Sequence, residues 1–335
     1  MAHEIVFDET RQINPVAFVG ETPWHGLGQR LEPGQPLEVW AKQAGMDFEI
    51  DTAPVLYLDG DDLLRSFPNR NILRRNDTQL PLSIVSDQYR VVQPAEILEF
   101  FRSLIDTAGF RMNTAGVLFG GKRYWALAEI GESARIRGQD RLDGFLLLAT
   151  AVDGTLATTA AFTSVRVVCN NTLSFAVNRL DSGEESTPYL KVSHNKAFDS
   201  ESVKGELGLA KKSWDTFIDS AKELSTRTVS DREAVEWLIR VFGKVEEGED
   251  ITDEIIKASD AKVIKNVLSL YQGGGKGSNL KSSEGTAWGL VNAVTEWGDF
   301  HRNTKTQDNR FDSGQFGTVA NIKKRAWDEA LKLVA

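Results

Sequence analysis

The chain carries one cysteine, Cys169, and four histidines, His3, His25, His194 and His301, widely separated along its 335 residues. A lone thiol excludes an internal disulfide and a thiolate zinc cage, and so points to a reducing compartment. No apolar run approaches the ~20 residues that a membrane span requires. Met1-Ala2-His3-Glu4 has neither the basic start nor the apolar stretch of a secretory leader. A cytoplasmic protein without a membrane segment is expected. No low-complexity tract, internal repeat or proline-rich linker interrupts the chain. With 41% hydrophobic residues and eight tryptophans, it folds.

The formal net charge of −9 argues against a surface that is cationic all over. Locally the balance reverses, because Leu63 to Arg141 holds twelve Arg or Lys against eight Asp or Glu. Much of the acid sits in Glu246-Glu247-Gly248-Glu249-Asp250 and Asp253-Glu254, which read as an acidic loop entering a helix.

Residues 1–45 are punctuated by Pro15, Gly20, Pro23, Gly26, Gly28, Pro33 and Pro36 and read as an extended arm with turns. Residues 46–195 read as an α+β core. Short β-branched runs such as Ser83-Ile84-Val85-Ser86 alternate with turns, and Pro94 opens an amphipathic helix that Gly109 closes. Two hairpins follow, one turning at Gly120-Gly121 and one at Asp153-Gly154. Beyond His194 the period changes to 3.6, so residues 196–335 read as helical, at about 197–225, 231–242, 252–271, 285–300 and 318–334. Ser230 and Glu233 have the spacing of a capping box. The expected class is α+β, a largely antiparallel sheet with packed helices followed by a helical C-terminal region.

Within Ser164-Val165-Arg166-Val167-Val168-Cys169-Asn170-Asn171, a run suited to a buried strand is interrupted by Arg166 and closed by two asparagines. A buried guanidinium costs several kcal/mol unless paired. Either Arg166 pairs with an internal carboxylate and Asn170 or Asn171 caps the next segment, or the three form a ligand site. The tip Lys122-Arg123-Tyr124-Trp125 combines cations with flat rings, as a groove for single-stranded nucleic acid requires, and Arg74, Arg75 and Arg166 extend the path. In the competing reading Tyr124 and Trp125 alternate across a sheet, with one buried and only Lys122 and Arg123 facing water.

Gly273-Gly274-Gly275-Lys276-Gly277-Ser278 invites comparison with a phosphate-binding loop. It fails twice: Leu270 stands where the first glycine belongs, and Gly277 where Ser or Thr should hold magnesium. It reads as a connector, or as a loop in which Lys276 meets a polyanion. Cys169 with His194, and Asp260-Ala261-Lys262 or Asp59-Gly60-Asp61-Asp62, supply no defined catalytic or metal geometry, so no cofactor is expected. Trp288 and Trp297 share a helix with several small residues and read as a core or subunit contact.

Pro23-Trp24-His25-Gly26-Leu27-Gly28, Ser86 to Pro94, Ser164 to Leu173 and Thr286 to Arg302 together resemble the phage/plasmid-like family of uncharacterised proteins from mobile elements. The resemblance runs along essentially the whole chain. That family is in turn similar to phage single-strand annealing proteins, which implies a ring or filament holding single-stranded DNA beside a hairpin-and-helix core. The resulting expectation is a non-catalytic, homo-oligomeric single-stranded DNA-binding protein, possessing no membrane segment. Its rivals are a protein-interaction module acting on a host or phage protein in defence or replication, and a metal-dependent nuclease.

Overall fold

The computed structural model describes residues 7–9, 11–20, 27–166, 168, 171–174, 189–192, 207–243 and 261–335. The strands are β1 (Val16–Val19), β2 (Gln29–Leu31), β3 (Ile50–Leu58), β4 (Leu64–Arg75), β5 (Pro81–Ser86), β6 (Arg111–Leu118), β7 (Arg123–Ile136), β8 (Asp140–Ala151), β9 (Thr158–Arg166), β10 (Asn171–Ser174) and β11 (Tyr189–Val192). The helices are α1 (Leu37–Gln43), α2 (Pro94–Ala108), α3 (Leu207–Thr226), α4 (Asp231–Gly243), α5 (Ala261–Ser269), α6 (Ala287–Glu296), α7 (Gln307–Gln315) and α8 (Thr318–Leu331). Wider π-type turns extend α5 over Leu270–Gly274 and α6 over Trp297–His301. The class is α+β, with a mostly antiparallel sheet and a helical C-terminal region.

The main sheet runs β10-β9-β8-β7-β6-β1-β2, with β11 also on β9, and among the described residues only β1 and β2 pair in parallel. Strand alternation sorts its residues between two cores. Ala17, Tyr124, Leu146, Leu148 and Ala160 join the large core that reaches Trp288 and Ala330, while Val16, Trp125, Leu147, Ala149 and Ala161 form a smaller one with Phe311 and Phe316. Both faces are therefore covered. Within the segment expected as an extended arm, β1 is woven into this body, since it pairs with β6 and Val16 and Ala17 are fully buried.

Local signals in the sequence explain several boundaries. Gln93 and Glu96 cap α2 reciprocally ahead of Pro94, and Gly109 ends it in the left-handed region at φ 69°. The Ser230 backbone N–H donates to Glu233 at 2.9 Å, which with Arg227 holds that carboxyl down to about 2. Gly120 and Gly121, at φ 69° and 115°, turn the β6–β7 hairpin.

β3, β4 and β5 form a separate three-stranded sheet. Its base is anchored by Ile50, Leu73 and Leu82 in the large core, and by Arg75. The Arg75 guanidinium lies 4.1 Å from the Phe48 ring centroid, donates to Asp77 at 2.9 and 2.7 Å, and reaches Asp8 at 3.4 Å. Arg11 joins Asp8, Asp47 and Asp77 to the same cluster. Burial alone would raise Asp8 and Asp77, but the arginines hold both below the usual carboxylate range, Asp77 far below it. A depressed carboxylate stabilises fully above its unfolded value, near 3.9, and loses that contribution as pH falls through its folded value. Stability should thus drop as pH falls below about 5, and Asp77→Asn should lower the neutral-pH melting temperature and flatten this acid limb in a pH series of melts.

Candidate nucleic-acid interface

The residues expected to line a strand-binding groove are mostly inside the protein. Arg75, Arg123, Tyr124, Trp125 and Arg166 are all buried. The hairpin tip is not a stacking platform, because alternation sends Tyr124 into the large core, where its hydroxyl donates to the Val92 carbonyl, and Trp125 into the small one, stacked on Phe311 at 4.5 Å. Arg123 pairs with Asp312. Lys122 is half-buried, and Arg74, also half-buried, has a buried Nε without a hydrogen-bond partner. Asn170 lies outside the described residues; Asn171 pairs with Arg166 in the strand register, its side chain undescribed. Cys169, His194, Asp260 and the acidic segment 246–254 also fall outside the described residues.

Arg166 finds its carboxylate in Asp140. Its Nε and Nη2 donate to the two Asp140 oxygens at 2.6 and 2.8 Å. Asp140 also accepts from Ser282 Oγ at 2.7 Å and Trp288 Nε1 at 2.9 Å. Arg166 donates further to Ser283 Oγ at 2.7 Å and to the Gly277 carbonyl at 3.2 Å. This buried clamp joins β8 and β9 to the glycine-rich turn and to α6. Of the two places expected for these tryptophans, the core or a subunit contact, the core holds both: Trp288 is a clamp member, and Trp297 packs edge-on to Phe242 at 5.2 Å. Both tryptophans are buried in the chain's own core, so neither has a face to offer another subunit.

Beside the clamp, Lys276 is exposed. Glu296, buried, accepts the Lys276 backbone N–H at 3.2 and 3.0 Å and lies 3.5 Å from His301 Nε2. This leaves the Lys276 side chain exposed, its Nζ 5.5 Å from the Phe300 ring centroid. From there the segment His301 to Arg310 supplies Arg302, Lys305 and Arg310. Arg302 donates to Ser313 Oγ at 2.9 Å and Arg310 to the Asp299 carbonyl at 3.3 Å, so both arginines bridge the turn after α6 and helix α7. Burial, and then the neighbouring Arg302 cation, hold Arg310 below its ordinary value against the pull of Asp299. Asp299 itself is taken by the buried Lys323. Lys276 thus lies beside an aromatic ring and the two arginines bridge the turn that follows it, while the carboxylates Glu296 and Asp299 are committed to the Lys276 backbone and to Lys323.

Of the sequence-predicted site residues, only Lys276 belongs to this patch. The cations among the others are legible as Arg302, Lys305 and Arg310, which with His301 stand against the single acid Asp308 within ten positions of an otherwise acidic chain. Among the described residues no three His, Cys, Asp or Glu side chains are grouped as a metal site needs, and no helix is long and apolar enough to cross a membrane.

These features define an α+β protein whose helical region is locked to the sheet by a buried polar clamp and carries a basic surface segment. The chain belongs to the family described as Domain of unknown function (DUF932), whose model matches residues 81–315. No curated protein and no solved structure matches it.

Proposed function

We propose that the chain is a non-catalytic single-stranded DNA-binding protein, and that strand contact falls on Lys276, Phe300, Arg302, Lys305 and Arg310 instead of the β6–β7 tip. The observation that supports this most is the exposed Lys276 ammonium beside the Phe300 ring, flanked by a bridging arginine pair. Cations following a backbone while a ring meets bases is the chemistry of sequence-tolerant single-strand binding. A local patch also reconciles such binding with a net charge of −9. The reading extends the resemblance to mobile-element proteins, and to strand-annealing proteins among them, from the whole chain to one surface.

Fluorescence anisotropy with a labelled oligonucleotide, single-stranded or annealed to its complement, tests it. The single strand should bind more tightly, and Phe300→Leu should weaken that binding by about 1–3 kcal/mol, the worth of one stacked base. Equal affinity for duplex and single strand, unchanged by Phe300→Leu, would remove the reading.

A further inference from the structure

Among the described residues, the outer half of the β3–β4 hairpin pairs only with itself. β5 pairs with β4 only between Arg70 and Arg74, so residues 56–66 project as a two-stranded ribbon. An isolated ribbon is marginal in water, and this one is apolar on both sides. Leu56, Leu58 and Leu64 share one face through the pairs Leu56↔Ser66 and Leu58↔Leu64. Tyr57, on the other face, meets Phe67 edge-on at 6.3 Å. Leu58 and Leu64 are 64% and 66% exposed, and Leu56, Tyr57, Leu63 and Phe67 are exposed as well. A contiguous exposed apolar surface of this kind marks an interaction site.

Charge along the ribbon selects the occupant. At the tip Arg65 is neutralised by Asp59 at 2.6 Å, and Asp61 and Asp62 add exposed negative charge, which disfavours a polyanion. At the base Arg70 is exposed and makes its hydrogen bond to the neighbouring Asn69 carbonyl, while the half-buried Arg74 stands directly across from Asp51 in the strand register. The arm therefore carries the exposed acids Asp61 and Asp62 at one end and the exposed Arg70 at the other, about 25 Å apart at ~3.3 Å per residue. A second arm laid antiparallel across it would bring each acidic tip onto the other's basic base and leucine face against leucine face.

We infer that the arm is a homodimer contact, two copies of this chain crossing antiparallel about a two-fold axis near Leu56 and Ser66. A two-fold contact uses the same patch on both partners and must be self-complementary, and the arm's charge gradient satisfies that condition. The inference is independent of the DNA-binding reading, because the arm and the Lys276 patch share no residue and the test contains no DNA.

Light scattering of the full chain at micromolar concentration reads it directly. The wild type should have twice the monomer mass. Asp61→Lys with Asp62→Asn makes the tip basic, asparagine being tolerated at the φ of 59° that Asp62 adopts. Arg70→Glu with Arg74→Gln makes the base acidic. Each variant should be monomeric, and their equimolar mixture, in which both contacts again join opposite charges, should recover the dimer. Should the base variant fail to fold, Leu58→Asp with Leu64→Asp at the exposed tip gives the same reading, a monomer supporting the dimer contact. A monomeric wild type, tip or leucine variants that keep the wild-type mass, or a mixture that stays monomeric would each overturn it.

Discussion

Asp140→Ala is expected to destabilise the chain by about 3–5 kcal/mol, the cost of leaving a buried charge without its partner. Asp140 accepts four hydrogen bonds in a site closed to water, two from Arg166 and one each from Ser282 and Trp288. Removing the carboxylate strands a guanidinium fastened also to Ser283 and Gly277, so it cannot swing into solvent. A stability of only about 5–15 kcal/mol makes this a large fraction of the total. Urea unfolding followed by tryptophan fluorescence should show the midpoint falling by about 1 M or more. An Asp140→Ala protein with the wild-type midpoint would mean that the clamp does not bind the helical region to the sheet.

Gly289→Ala should come next in size, at about 3 kcal/mol, near the top of the usual range for overpacking. A Cβ at this position of α6 would stand 1.9 Å from the Ser283 carbonyl oxygen and 2.9 Å from its carbon. The obstacle is backbone, not a flexible side-chain end. That backbone is also held, because Ser282 and Ser283 belong to the clamp and the Ser282 carbonyl accepts from Thr286 Oγ1 at 2.7 Å. The helix or the turn must then move as a body, disturbing the bond from Gly289 N–H to Thr286 at 3.1 Å. Thermal melts of the two proteins check this, and equal melting temperatures would contradict it.

Local chemistry was legible in the sequence where a residue acts on its neighbours. Pro94 and Gly109 mark α2, Ser230 and Glu233 mark the start of α4, and the change of period after His194 marks the helical region. What could not be read were the partners brought in from afar. Arg166 announces that it needs a carboxylate, but nothing near it names Asp140, which lies 26 residues away on the adjacent strand. Trp125 and Arg123 read as a surface tip because the element that covers them, α7, is short and polar, without the apolar period that would show it packing through Phe311 and Asp312. Trp288 and Trp297 read as candidates for a subunit contact for the related reason that a core and an interface want the same residues. The exposure of the apolar arm was not legible because its Leu56, Tyr57, Leu58, Leu64 and Phe67 read as strand residues whether or not anything lies over them.

Phosphate contact at Lys276 and its neighbours is read most directly by the salt dependence of single-strand affinity. Each neutralised phosphate on a single strand contributes roughly −0.7 to the slope of log affinity against log salt. Lys276→Ala with Lys305→Ala removes two exposed cations with little effect on folding. The wild type should bind a single-stranded oligonucleotide at low salt, and this variant, equally stable, should bind it more weakly with a slope shallower by about 1.4. A folded wild type that binds no single strand at low salt, or a variant with the wild-type slope, would contradict phosphate contact at this patch.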